Sequence, residues 1–111
     1  MEITESKKND VVILGLQGRL DASNAGTLEQ RVLSLIADGT SRFVVDCARL
    51  DYISSAGLRV LLVAAKRLSP AGGTLALAAL QASIKEVLDI AGFSSIFKVY
   101  RSADEAVAAV Q

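Results

Sequence analysis

Three aliphatic runs, VVILGLQG at 11–18, RFVVDC at 42–47 and TLALAAL at 74–80, alternate with stretches whose apolar residues recur three and four positions apart. That alternation confines the chain to few architectures, because parallel strands need crossovers and each helical stripe needs a sheet face to cover. Within 22–37 the stripe is Ala25, Leu28, Val32, Leu35 and Ile36, closed by Asp38-Gly39, where glycine suits a left-handed stop. After Tyr52-Ile53, Leu58, Leu61, Leu62, Ala65 and Leu68 mark a second helix, which SPAGG at 69–73 ends. Ser83 with Glu86 and Ser102 with Glu105 fit the S-x-x-E capping box and predict two later helices, the first ending at Gly92. IFKVY at 96–100 reads as a short strand between them. The opening MEITES is joined to the first run by KKND, which is too short for a crossover and predicts a hairpin. The expected fold is α/β: one domain over 1–111, with a mixed central sheet of four to five strands and about four helices.

Composition removes several function classes. Half of the residues are apolar (51%), yet charged residues interrupt every apolar run before it reaches membrane-spanning length, so a buried core is expected and membrane insertion is not. The N-terminal MEITESKKND lacks the apolar segment of a secretory signal, and the expected compartment is the cytoplasm. Twelve basic and twelve acidic residues cancel, and aromatics are few, which argues against nucleic acid as a partner. Cys47 is the single cysteine, so no intrachain disulfide forms and a multi-thiolate zinc site is excluded; it reads as a small buried hydrophobe.

Catalytic chemistry is equally hard to find. The chain has no histidine to act as a base at neutral pH, and neither a G-x-G-x-x-G nor a phosphate-loop sequence follows any strand. Asp21, Asp46 and Asp51 are scattered carboxylates, and no metal or cofactor is expected. Two strand-to-helix junctions remain, GRLDAS at 18–23 and DYISSAG at 51–57, the places where α/β sheets gather their sites. Ser54 or Ser55 can cap the second helix with its hydroxyl. A serine in that first turn is also a favourable seat for a phosphate, since free N–H groups and the helix dipole favour negative charge. A serine nucleophile would need a base and a G-x-S-x-G elbow that SSAGL lacks.

Gly18-Arg19-Leu20-Asp21, the block FVVDCARLDYISSAGLRVLL and the segment AGFSSIFKVY together resemble the STAS-domain anti-sigma factor antagonists, the anti-anti-sigma factors of bacterial partner-switching systems. In that family the turn commonly reads D-S-S-G or D-S-T-G, and the serine two positions before glycine takes a phosphate. Gly57 matches that glycine, which makes Ser55 the implied phosphoacceptor, with Ser54 in the place of the aspartate as the neighbouring candidate. The resemblance implies a binding module, not an enzyme, that sequesters an anti-sigma factor with GHKL-type serine kinase activity and is reset by a PPM-type serine phosphatase. Its implied contact surface is Asp21, Ser54, Ser55, Ala56, Gly57 and Leu58. Gly57 would let a partner backbone approach, and Leu58 is either an exposed apolar anchor or a core position. ATP and metal would belong to the partners. A second reading keeps the fold and makes the chain a structural subunit of a lipid-transport ABC ATPase complex. Oligomeric state is open, the N-terminal edge strand leaving room for pairing.

Overall fold

A computed structural model describes residues 1–111. The elements are β1 (Glu2–Lys8), β2 (Val11–Leu20), α1 (Ala25–Ala37), β3 (Arg42–Ile53), α2 (Ser55–Leu68), β4 (Thr74–Ala78), α3 (Ala82–Ile90), β5 (Lys98–Tyr100) and α4 (Ala103–Val110), with a single 3-10 turn at Ser69–Ala71. The five strands lie in one sheet in the order β1-β2-β3-β4-β5. β1 and β2 form an antiparallel hairpin, and every later neighbour is parallel, so the sheet is mixed as expected.

Strand order equal to chain order has a geometric consequence. Right-handed crossovers that all step in one direction must leave their helices on one face. α1, α2 and α3 accordingly share one core with the sheet: Leu14, Leu16 and Leu20 of β2 and Phe43, Val45 and Cys47 of β3 meet Leu28 and Val32, Leu61 and Ala64, and Ile84 and Leu88. The alternate residues Val11, Val44, Ala76 and Ala78 point to the other face, where only α4 covers them with Ala106 and Val107. The alanines of β4 run against strand propensity, but they face Ala106, and small side chains let the last helix sit close to the sheet.

Several boundaries and caps differ from those read in the sequence. β3 runs on from Cys47 to Ile53, because the exposed Ala48 and Arg49 break the apolar run but not the ladder to β2, which shifts register there. α1 begins at Ala25 instead of Ala22, Asp21–Asn24 being spent on a turn. α3 begins at Ala82 behind Gln81, which places Ser83 inside the helix and leaves the Ser83–Glu86 capping box unformed. Around Ser102 half of the box is present: its hydroxyl accepts from the Glu105 N–H at 3.1 Å, while Glu105 reaches back to the N–H of Arg101.

Cys47 lies in the core, 1% exposed, its thiol directed at the Val45 carbonyl. Burial, and secondarily the charge of Asp46, push the thiol up to about 12 from 9.0. The fold thus favours the neutral thiol. Its stabilising effect is complete below about pH 9 and is lost towards pH 12, as the unfolded chain ionises and the folded one does not. Denaturant titrations are expected to show this alkaline loss in the wild type and a flatter limb in Cys47→Ala. Alkylating reagents should leave native Cys47 unmodified at neutral pH and label it once the chain is unfolded.

Candidate partner-binding site

β2 and β3 end level with each other, Leu20 being the register partner of Ile53. The next residue, Ser54, is tied across to β2 by its N–H, which donates to the Leu20 carbonyl at 2.9 Å. That bond sets the start of α2 beside the β2–α1 turn, so both junctions singled out in the sequence come to one end of the sheet.

The two serines differ in what they do. Ser54 is extended (φ −90°, ψ 173°) and caps α2: its Oγ accepts from the Gly57 N–H at 3.2 Å and its carbonyl from the Leu58 N–H at 2.9 Å. Ser55 is the first helical residue, exposed, and its hydroxyl makes no hydrogen bond within the protein. The N–H groups of Ser55 and Ala56 have no carbonyl a turn earlier in the helix to receive them, which leaves two donors at the same place.

Ala56 is half-buried against the core. For the contact surface, one open alternative is decided and one expectation needs correction. Leu58 is 5% exposed and belongs to the main core, so it is not an exposed anchor. Gly57 is buried as well, and its lack of a side chain serves the interior: a Cβ there would lie 2.7 Å from Leu20 Cγ and 2.9 Å from Ile53 Cγ1. Helical periodicity turns both residues inward, and Gly57 lets the first turn of α2 settle onto the strand ends.

Asp21 stands at the adjacent junction, half-buried, with its carboxylate bonded inside its own turn. One oxygen accepts from the Ser23 N–H at 3.0 Å and from the Ser23 hydroxyl at 2.6 Å, and these bonds hold the carboxyl below the usual range. Asp21 therefore remains ionised at neutral pH. Asn24, which the sequence reading passed over, shapes the same turn: its Oδ1 accepts from the Asp21 N–H at 3.0 Å and its Nδ2 donates to the Arg19 carbonyl at 2.8 Å. The D-x-S-N pattern carried that signal, since short polar side chains after a strand tend to fold back on the backbone. A second unread feature lies one residue earlier on each strand, where the guanidinium of Arg19 stacks 4.1 Å from the ring centre of the exposed Tyr52.

No three His, Cys, Asp or Glu side chains are grouped to hold a metal ion, and the principal surface clefts are lined by residues other than Ser54 and Ser55. No helix is long and apolar enough to cross a membrane. An open helix end with one free hydroxyl, two free N–H groups and an ionised carboxylate nearby is a surface that a partner can read and a modification can change.

The profile of the STAS domain matches residues 2–106. The chain belongs to the STAS family. Among its relatives, a candidate anti-sigma factor antagonist, BtrV of Bordetella bronchiseptica, is 44% identical over 98% of this chain and 94% of its own length. The crystal structure of a candidate anti-sigma factor antagonist from Thermotoga maritima superimposes with a TM-score of 0.93 at 26% identity, covering 97% of this chain and 93% of that chain. The fold also matches that of the Bacillus cell fate determinant SpoIIAA, solved in its phosphorylated form, with a TM-score of 0.80 at 18% identity over 99% of this chain and all of that one.

Proposed function

We infer that this STAS domain is an anti-sigma factor antagonist that works by a phosphorylation-controlled change of partner, with Ser55 as the acceptor. The observation that carries the reading is the division of labour between the serines: the Ser54 hydroxyl is engaged as the cap of α2, while the Ser55 hydroxyl is exposed and free. The BtrV relationship over nearly the full length of both chains supports the partner class.

In this reading the unphosphorylated end of the sheet seats an anti-sigma factor that is also a serine kinase, and a serine phosphatase restores the seat. Transfer of the γ-phosphoryl group of ATP to Ser55 Oγ would break its bond to the β-phosphate oxygen and form a phosphoserine, the kinase supplying the nucleotide and the base. The phosphate adds a charge of about −1.5 to −2. It has a seat in its own helix, in the N–H groups of Ser55 and Ala56 and in Arg59, which is exposed one turn further along the same face. Because Ser54 retains the cap, the surface changes charge while the fold is kept.

Fragment mass spectrometry of the protein isolated from its own cells under phosphatase inhibition tests this assignment. Phosphate is expected on Ser55. Phosphate on Ser54 would reverse the roles of the two serines, and its absence from both under growth and stress would return the pair to capping and favour a constitutive subunit.

A further inference from the structure

β1 has a neighbour on one side only, and its outer edge is open over seven residues. The turn Asn9-Asp10 joins Lys8 to its partner Val11, and a two-residue turn makes that closing pair a hydrogen-bonded one. Alternation then sends the backbone groups of Glu2, Thr4, Ser6 and Lys8 to β2 and those of Ile3, Glu5 and Lys7 outward. At the opposite edge of the sheet β5 has only three residues. β1 is therefore the edge with a run of free donors and acceptors long enough to template another strand.

The charges of that edge are sorted along it. Glu2 and Glu5 lie in its first half, Lys7 and Lys8 at its end. Laid antiparallel on a second copy about Glu5, Glu2 falls opposite Lys8, Ile3 opposite Lys7, and Thr4 opposite Ser6. A two-fold axis through the sheet demands partners of the same parity, and this register meets the demand while using every outward-facing backbone group. The two Glu5 side chains meet at the axis, but each is already held by Arg31 in a two-bond pair, Nε to Oε1 at 2.6 Å and Nη2 to Oε2 at 2.7 Å. Moving the axis to Ser6 would set Glu2 against Asp10, and moving it to Thr4 would set Lys7 opposite Met1 and Glu2 opposite Ser6, so that no acidic residue meets a lysine. Edge lysines commonly guard a strand against pairing. Here acidic residues at the other end turn the guard into a selective contact, one that a second copy of this chain satisfies.

We propose that β1 is a homodimer edge, pairing antiparallel about Glu5 with β1 of a second copy to form one continuous sheet. α2 packs over the inner strands, so the junction at Ser55 is left uncovered, and the two-fold axis carries the two junctions to opposite ends of the joined sheet.

Sedimentation of the full chain over a wide concentration range tests the pairing. The mass is expected to rise with concentration from that of one 11.7 kDa chain towards two. Glu2→Lys should weaken the dimer by roughly ten-fold, since opposed like charges replace two cross-strand pairs, and Glu2→Lys combined with Lys8→Glu should restore it. Lys7→Pro removes an outward N–H while sparing the ladder to β2, and should leave a folded monomer by circular dichroism. Should that variant fail to fold, the charge exchange carries the test alone. A chain that stays monomeric throughout, or a dimer that Glu2→Lys leaves unchanged or the double exchange does not restore, overturns the proposal.

Discussion

Ser55→Asp is expected to bind the cognate anti-sigma factor about 5- to 150-fold more weakly than the wild type, the range typical of coupled sites. The cause lies in what surrounds the residue. Ser55 is exposed beside the half-buried Ala56, at a helix end that a partner can cover only by excluding water from it. A charge placed there loses its solvation on binding, and the ionised Asp21 at the adjoining turn adds negative charge to the same end of the sheet. Ser55→Ala keeps the shape and removes the acceptor, so it should bind as tightly as wild type and stay bound when ATP is added. Ser54→Ala is the informative control: loss of the cap costs about 1 kcal/mol of stability, but the acceptor hydroxyl is untouched and ATP should still release the partner. Calorimetric titration of the three variants, with and without ATP, reads all of this. Equal affinity for the Asp and Ala variants at position 55 would remove the charge switch from this residue.

Gly57→Val is expected to lower stability by about 1–3 kcal/mol, the usual range for overpacking, and to loosen the site with it. Ordinary helix energetics predict the opposite sign, since glycine inside a helix is unfavourable by roughly 0.5–1 kcal/mol relative to alanine. The geometry decides against propensity. The first added carbon would lie 2.7 Å from Leu20 Cγ, the branch point of its side chain, and 2.9 Å from Ile53 Cγ1, a methylene next to one, and both side chains are buried with little room to withdraw. Either α2 lifts from the strand ends or Leu20 and Ile53 leave their rotamers. Lifting would strain the Ser54 N–H bond to Leu20, and with it the height at which Ser55 is presented. Chemical denaturation of Gly57→Ala and Gly57→Val checks the argument; an alanine variant more stable than wild type would show that the neighbours yield and that propensity wins.

The fold was legible in the sequence because its signals are long-range and redundant. β2 and β3 announce themselves by aliphatic runs, and the stripes of α1 and α2 are wide enough to fix which face is buried. Short motifs read less well. The S-x-x-E pattern at Ser83 proved incidental, since Gln81 takes the cap position of α3 and its amide reaches the Ala48 carbonyl instead. A four-letter pattern says nothing of the strand that supplies such an alternative partner.

At the candidate site the serine pair could be found from its junction and from family resemblance. Which hydroxyl is committed could not, because the choice depends on the Leu20 carbonyl drawing Ser54 into the extended conformation of a cap. The inward turn of Gly57 and Leu58 was hidden for the same reason. Periodicity gives a helix face but not its rotation about a neighbour, and a glycine that admits a partner looks identical in sequence to one that admits a leucine.

A sheet whose strands are laid down in the order in which they are translated also has something to say about how the chain comes to be folded. Each strand emerging from the ribosome can join the edge made by its predecessor, with the intervening helix closing over a seam that already exists, so most of the three-helix face can mature while synthesis continues. The second face cannot. Val11, Val44 and Ala76 are complete early, but their cover is α4, the last element of the fold, and until α4 docks this side of the sheet is open. A chain in which α4 has yet to dock would present a nearly finished fold with one bare aliphatic surface, the form that a chaperone or protease would recognise.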